Sequence, residues 1–290
     1  MFIDTHCHLN FKDFRDDFQE VVGRTLSEGV RVIIVGSQYS TSRRAVEQAE
    51  RYGHSERNGV WAVVGIHPVH LFDSTGGDDR DFPKRVSLEK FDYDKYLELA
   101  KKDEVVAIGE VGLDYHHFGK AQQEVRKIIE LQKDVFKEFI KLANEVGKPV
   151  VIHGWNADKK DKELVGGAVA YEDILEIIKS NRVEKKGVVH SFIGSYKVAQ
   201  KFIEEGFLIG LNGIITYSES YDRLIREIGL ENIVIETDAP YLTPAPLERY
   251  SRNEPLNVKL VAQKIAEVLK VKISEVEKAT TKNAKQLFKI

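Results

Sequence analysis

Apolar residues along the chain gather into eight short runs. They are MFID at 1–4, VRVIIVG at 30–36, VWAVVG at 60–65, EVVAIG at 104–109, PVVIH at 149–153, GVVH at 187–190, FLIGLN at 207–212 and IVIETD at 233–238. Most are β-branched and nearly continuous in hydrophobicity, as expected of strands buried on both faces of a parallel sheet. Amphipathic stretches lie between them. FRDDFQEVVGRTLSEG sets Phe14, Phe18, Val21, Val22 and Leu26 on one helical stripe and stops at Gly29. STSRRAVEQAERYG starts on Ser/Thr caps and stops at Gly53. AQQEVRKIIELQKDVFKEFIKLANEVG is a long helix by the same pattern, and YEDILEIIKSN, SYKVAQKFIEEG and SYDRLIREIG each close on Asn or Gly. The tail holds two more, NVKLVAQKIAEVLK and ISEVEKATTKNAKQLFK.

Strand–helix units repeated along residues 1–290 with no Pro/Gly/Ser linker predict a single α/β domain, a (β/α)8 TIM barrel. A doubly wound open sheet is the alternative. Two connections are long, 66–93 and 154–170, and long loops in a compact domain tend to be functional.

Composition narrows this picture. With 42% hydrophobic residues the chain can fill a sizeable core. Charged residues make up 31%, yet the net charge is only −3, which argues against a wide basic face gripping duplex nucleic acid. A local phosphate site built from a metal or a few Lys and Arg stays compatible. No run approaches the roughly 18 apolar residues of a membrane span. The chain turns polar directly after MFI, so no signal peptide is read and a cytoplasmic location away from membranes is expected. The only cysteine is Cys7, so an intramolecular disulfide is excluded.

Polar residues fall at telling places on this map. His6 and His8 close the first run, Glu110 the fourth, His153 the fifth, His190 the sixth and Asp238 the eighth. In a parallel barrel all these ends share one face, the face where active sites are built. The period of two sends His6 and His8 to the same side and Cys7 to the other, as a buried, inert thiol. A lone histidine or acid at a strand end is most often a hydrogen-bonded or capping residue. Four imidazoles and two carboxylates on one rim form a mixed N/O ligand set for divalent ions such as Zn, Mn or Mg. That is more than one open catalytic ion needs, so two ions are expected, with Glu110 bridging. His6, His8 and Asp238 would complete one ion, and His153 and His190 the other. His67, and similarly His116 and His117, follow strand ends as possible substrate contacts; His54 and His70 lie in polar loops and read as solvent-exposed.

The motifs DTHCHLN, VVGIHP, AIGEVGLDY, VVIH, HSFIGS, LNGIITY, ETDAPYLTP, RNEPLNV and TTKNAKQLF follow one another over essentially the whole chain. In this order they resemble the TatD-type metal-dependent deoxyribonucleases of the amidohydrolase superfamily. ETDAPYLTP and AIGEVGLDY are the most specific, whereas His-x-His is shared across the superfamily. The resemblance implies a barrel with a divalent metal site that hydrolyses phosphodiester bonds in DNA, often as a 3′-to-5′ exonuclease on single strands, with RNA accepted by some members. It assigns His6, His8, Glu110, His153, His190 and Asp238 as metal ligands, with Asp238 also the catalytic acid. The chain departs from the pattern after His153, where GWNADKKDKELVGGAVA replaces a short polar-basic pair, and at Ser191, where Cys is common.

The expected chemistry is water activated by two ions and attacking phosphorus in line, with Asp238 and Glu110 as the catalytic carboxylates. His67, Arg252, Asn253 and Arg249 are candidate substrate contacts, and Trp155 and Tyr241 could stack on bases. A small-molecule amidohydrolase or esterase using the same binuclear site is the alternative. A Glu rather than a modified Lys at the end of the fourth run favours the nuclease. A barrel kept only for binding would be expected to lose ligands, and all six candidates are present.

Overall fold

Each apolar run folds as a strand. β1 (Phe2–Cys7), β2 (Val30–Val35), β3 (Val60–Val64), β4 (Val105–Asp114), β5 (Val150–Trp155), β6 (Gly187–Val189), β7 (Leu208–Leu211) and β8 (Ile233–Ile235) pair in parallel and in sequence order. The computed structural model describes residues 1–53, 59–72, 88–118 and 124–290. The sheet curls until its edges meet, which excludes the open-sheet alternative. Thr5 Oγ1 donates to the Ile235 carbonyl at 3.1 Å. Beyond β8 the Asp238 N–H donates to the His6 carbonyl at 2.9 Å, and the His8 N–H to the Ala239 carbonyl at 2.7 Å. The buried Asp4 carboxylate fastens the same seam, accepting from the Thr237 N–H at 2.9 Å and the Thr237 hydroxyl at 2.6 Å.

Around the barrel run α1 (Phe18–Ser27), α2 (Tyr39–Tyr52), α3 (Tyr93–Ala100), α4 (Val125–Val146), α5 (Ala170–Ser180), α6 (Tyr196–Glu204), α7 (Ser220–Ile228), α8 (Val258–Leu269) and α9 (Ile273–Phe288). The sequence pattern missed α3, which has only 8 residues and follows directly on a long connection. Its start is capped by Asp92, whose side chain accepts from the Lys95 N–H, and it buries Tyr96, Leu99 and Ala100. α1 starts later than the apolar stripe suggests, because Lys12–Phe14 forms a separate 3₁₀ turn.

The double-sided burial of the strands divides the core into two layers. Val32, Ile34, Ala62, Val64 and Ile152 point outward and pack under the helices. Ile3, Ile33, Val35, Val63, Val151, Val188 and Val234 point inward and fill the barrel, which Ala284 and Phe288 of α9 close from below. Each such Val, Ile or Phe side chain contributes about 1.5–3 kcal/mol by leaving water.

Alternation also fixes what sits above that inner layer. His153 stands two residues beyond inward Val151, and His190 two beyond inward Val188, so both rings enter the barrel mouth. On β1 and β4 strict alternation fails. Counting by twos from inward Ile3 would send His6 outward, and counting from inward Ala107 would do the same to Glu110. Register shifts between Asp4 and Cys7 on β1, and between Ile108 and Val111 on β4, reverse the parity. Such irregularities re-aim side chains at the rims of barrels.

Candidate metal centre

The six residues singled out in the sequence converge at the carboxyl ends of the strands. His6 is fully buried, Glu110, His190 and His153 are 2%, 3% and 7% exposed, and His8 is 4% exposed. Asp238, on the segment after β8, keeps its side chain 16% exposed at positive φ (58°). Glu110 lies inside β4, four residues before its end, rather than closing the strand as its apolar run suggested.

The two oxygens of Glu110 face different groups. Oε2 is 3.4 Å from His6 Nε2 and 3.9 Å from His8 Nε2. The same two nitrogens are 3.3 Å apart, and 3.7 and 3.2 Å from Asp238 Oδ1. Oε1 is 2.5 Å from His190 Nε2 and 2.9 Å from His153 Nδ1, which are 3.4 Å from each other. Donors bound to one ion at about 2.0–2.1 Å stand roughly 3–3.5 Å apart. Both groups have spacings around that value, so their N/O donors fit divalent ions. Burial alone would raise the Glu110 carboxyl; the His190, His67 and His153 rings overcome it and hold the group well below the usual carboxylate range.

Partners behind the rings select which nitrogen each one offers. His8 Nδ1 lies 2.9 Å from the Val35 carbonyl and so carries its proton there, leaving Nε2 as a lone pair. His153 is turned the other way round: its Nε2 donates to Asp114 Oδ2 at 3.0 Å, and its Nδ1 faces Glu110. His190 Nδ1 lies 3.6 Å from the buried Glu236, whose Oε1 accepts from the Ser191 N–H. Gly210 leaves room for that carboxylate; a Cβ there would stand 2.6 Å from Glu236 Oε2. Asp114 and Glu236 escaped the sequence reading. Asp114 looked like a turn residue of GLDY, and Glu236 an ordinary part of the last run. The available signal was strand parity, since Glu236 stands two residues beyond inward Val234.

The donors floor a cleft of about 180 Å³. His67 lines it, with Nε2 3.2 Å from His153 Nδ1 and 3.5 Å from Glu110 Oε1. Its Nδ1 accepts from the Val69 N–H at 3.2 Å, so neutral His67 carries its proton on Nε2 and presents a donor to the cleft. His117 also lines the cleft and gives its Nδ1 proton to Asp114 at 2.8 Å. His116 stacks on Trp155 at 4.9 Å, and Trp155 and Tyr241 both belong to the wall. His70, expected in solvent, is half-buried and forms part of the same wall. His54, and most of the long connection after β3, lie outside the described residues.

Two expected substrate contacts are not part of the cleft wall. Arg252 is held by Asp17, with Nη1–Oδ1 at 2.9 Å and Nη2–Oδ2 at 2.6 Å, and further by Glu254 and the Asp13 carbonyl. Asn253 is fully buried, and its amide ties the carbonyls of Thr237 and Tyr241 together. Both brace the loop after β8, an employment that sequence position could not reveal. Cys7 is buried among outward-facing residues, its Sγ 3.5 Å from the Ile33 carbonyl, and burial pushes its thiol up.

An eight-stranded barrel with imidazoles and carboxylates gathered at its carboxyl mouth defines the class of metal-dependent barrel hydrolases. Within that class the chain belongs to the TatD related DNase family, which it matches over residues 3–289. A Bacillus subtilis protein described as the uncharacterized metal-dependent hydrolase YabD is 36% identical, with 100% of both chains covered. The human deoxyribonuclease TATDN3 is 29% identical over 99% of this chain and 94% of its own. Among solved structures, the Escherichia coli TatD homolog YJJV superposes with a TM-score of 0.76 at 27% identity, covering 100% of this chain and 98% of that one. No helix among the described residues is long and apolar enough to cross a membrane.

Proposed function

We propose that the protein is a divalent-metal-dependent phosphodiesterase that hydrolyses DNA, removing nucleotides from the 3′ ends of single strands at a two-ion centre. The ligands are His6, His8 and Asp238 on one side, His153 and His190 on the other, with Glu110 shared. The observation that carries this reading is the division of Glu110, whose Oε2 faces His6 and His8 while Oε1 faces His153 and His190. A carboxylate serving two donor groups is the arrangement a binuclear hydrolase requires. Bound divalent ions supply Lewis-acid polarisation of a phosphate and lower the pKa of water toward neutrality.

The chain's own groups do the rest. Asp238 is the more exposed of the two carboxylates. Burial would raise it, but the facing His8 and His6 rings overcome this and hold it below its ordinary value. It is therefore ionised at neutral pH and takes up the proton of the attacking water. His67 offers its Nε2 proton to a phosphate oxygen. The aromatic wall, including Trp155 and Tyr241, suits unpaired bases, which stack on such rings whatever their identity.

The test is chelator-stripped protein refilled with Mg, Mn or Zn and given a 5′-labelled single-stranded oligonucleotide. A ladder shortening from the 3′ end is expected, and an RNA of the same sequence run alongside reports the sugar preference. Asp238→Asn lowers kcat by about 10²–10⁴. Intact DNA with every ion, or full activity in Asp238→Asn, overturns the proposal; turnover of a lactone or acyl-amide instead would redirect it to small-molecule hydrolysis.

A further inference from the structure

We infer that Arg249, flanked by the rings of Tyr217 and Tyr250, is a second phosphate site of the cleft, receiving the phosphate adjacent to the one cleaved; the inference rests on the phosphodiesterase reading above. Arg249 is the only lysine or arginine among the described residues lining the cleft. Its guanidinium carbon stands 4.8 Å from the Tyr217 ring centre and 5.2 Å from that of Tyr250. Tyr217 is itself fixed, its hydroxyl donating to the Thr243 carbonyl at 2.6 Å. Rings against the guanidinium restrict its rotation, while its N–H donors lie in its own plane and stay available.

Those donors have no carboxylate or carbonyl partner among the described residues. The neighbouring Arg252 shows what a structural arginine looks like on this loop: it is saturated by Asp17, Glu254 and the Asp13 carbonyl. Arg249 is held in place and left uncompensated, the condition of a guanidinium awaiting an anion.

Depth separates this site from the floor. Glu110 and His190 are 2% and 3% exposed, whereas Arg249 is on the surface beside Tyr250, itself 50% exposed. On this inference the phosphate at Arg249 is the neighbour of the one reaching the floor. Two anion positions at two depths select a chain with consecutive phosphates over a mononucleotide or a small ester.

Arg15, Arg44 and Arg51 line another groove outside the barrel, where Arg44 Nη1 already donates to the Asn10 carbonyl at 2.6 Å. They share it with Glu47, and Arg15 lies next to Asp16 in a segment of mixed charge, so they make a weaker anion site than Arg249.

The test uses metal-loaded full-length protein and two probes, a thymidine dinucleotide carrying one phosphate and a trinucleotide carrying two. The quantity read is the ratio of their kcat/KM values. In the wild type the trinucleotide is favoured by about tenfold or more, the worth of a charge-assisted hydrogen bond. In Arg249→Ala that preference falls to within about twofold, through KM, and the dependence of log(1/KM) on log salt becomes shallower by about 0.7. Arg249→Lys, which keeps the charge and loses the planar fork, retains part of the preference. A ratio unchanged in Arg249→Ala, or an equal loss on both probes, overturns the inference while leaving the phosphodiesterase reading intact. Wild-type protein that cleaves neither probe overturns both.

Discussion

Asp114 decides which nitrogen His153 presents to the cleft. Its Oδ2 accepts from His153 Nε2 at 3.0 Å and from His117 Nδ1 at 2.8 Å, while Oδ1 accepts the backbone N–H groups of His116 and His117 at 2.9 and 2.8 Å. Burial would raise its carboxyl, yet the facing His117 and His153 rings hold it well below the usual range, so it is an ionised acceptor. The proton is thus fixed on His153 Nε2 and the lone pair on Nδ1, 2.9 Å from Glu110. Carboxylates placed in this way raise ligand basicity, and losing them costs about 10- to 100-fold in metal affinity. Asp114→Asn should weaken divalent-ion binding by that factor in titration calorimetry, with a matching loss of activity at limiting metal. Binding at wild-type strength would remove Asp114 from the site.

At the level of elements, the sequence was most readable where one period ran undisturbed. β5 and β6 keep strict alternation, so the inward placement of His153 and His190 follows from counting. β1 and β4 do not keep it. Their register shifts depend on pairing with neighbouring strands, and no local residue choice announces them. His6 and His8 were still legible as a pair, because a period of two relates them to each other whichever face they take. α3 was lost because 8 residues hold barely two turns of pattern. The ion pairing of Arg252 was hidden for a different reason. Its partner Asp17 is remote in sequence, at the start of α1, and only closure of the barrel seam brings the two together. The pair makes its own prediction. Two hydrogen bonds from Arg252 lower the Asp17 carboxyl below its ordinary value. A depressed folded-state pKa contributes stability above the unfolded value, about 3.9, and that contribution is lost as pH falls through the folded value. Arg252→Gln should therefore destabilise the protein modestly at neutral pH, on the order of 1 kcal/mol or less for a surface pair. The difference from wild type should shrink below about pH 4, as denaturant melts at several pH values would report. KM for oligonucleotides should stay within about twofold, since Arg252 braces the loop and leaves the anion to other groups. A large rise in KM with unchanged stability would return Arg252 to the list of substrate contacts.

Across the whole molecule the proposed ligands come from β4, β5, the ends of β1 and β6 and the residues just after them, and the segment after β8. Ions held by them would fasten elements far apart in sequence, including the seam where the barrel's last strand meets its first. The folded chain already bears the cost of assembling this centre. His6 Nδ1, His190 Nδ1 and Glu236 Oε2 are buried without a hydrogen-bond partner among the described residues, and several imidazoles crowd around Glu110. The unfolded chain has no such arrangement, so ion binding favours the native state by RT ln(1 + [L]/Kd), about 2.7 kcal/mol at a hundred times Kd. For a chain of 290 residues that corresponds to a rise in melting temperature of about 4–5 °C. Stripping the protein with a chelator should lower its melting temperature by that amount, and Mn or Zn should restore it, with sodium chloride at equal ionic strength as the control. If two ions bind, His6→Ala and His153→Ala should each abolish part of the metal-dependent rise, and the double variant all of it. If either single variant abolishes the whole rise, the two donor groups form one site or one obligately coupled pair. A melting temperature indifferent to divalent ions would show that the converging imidazoles hold none, and would remove the physical basis for calling this barrel mouth a catalytic centre.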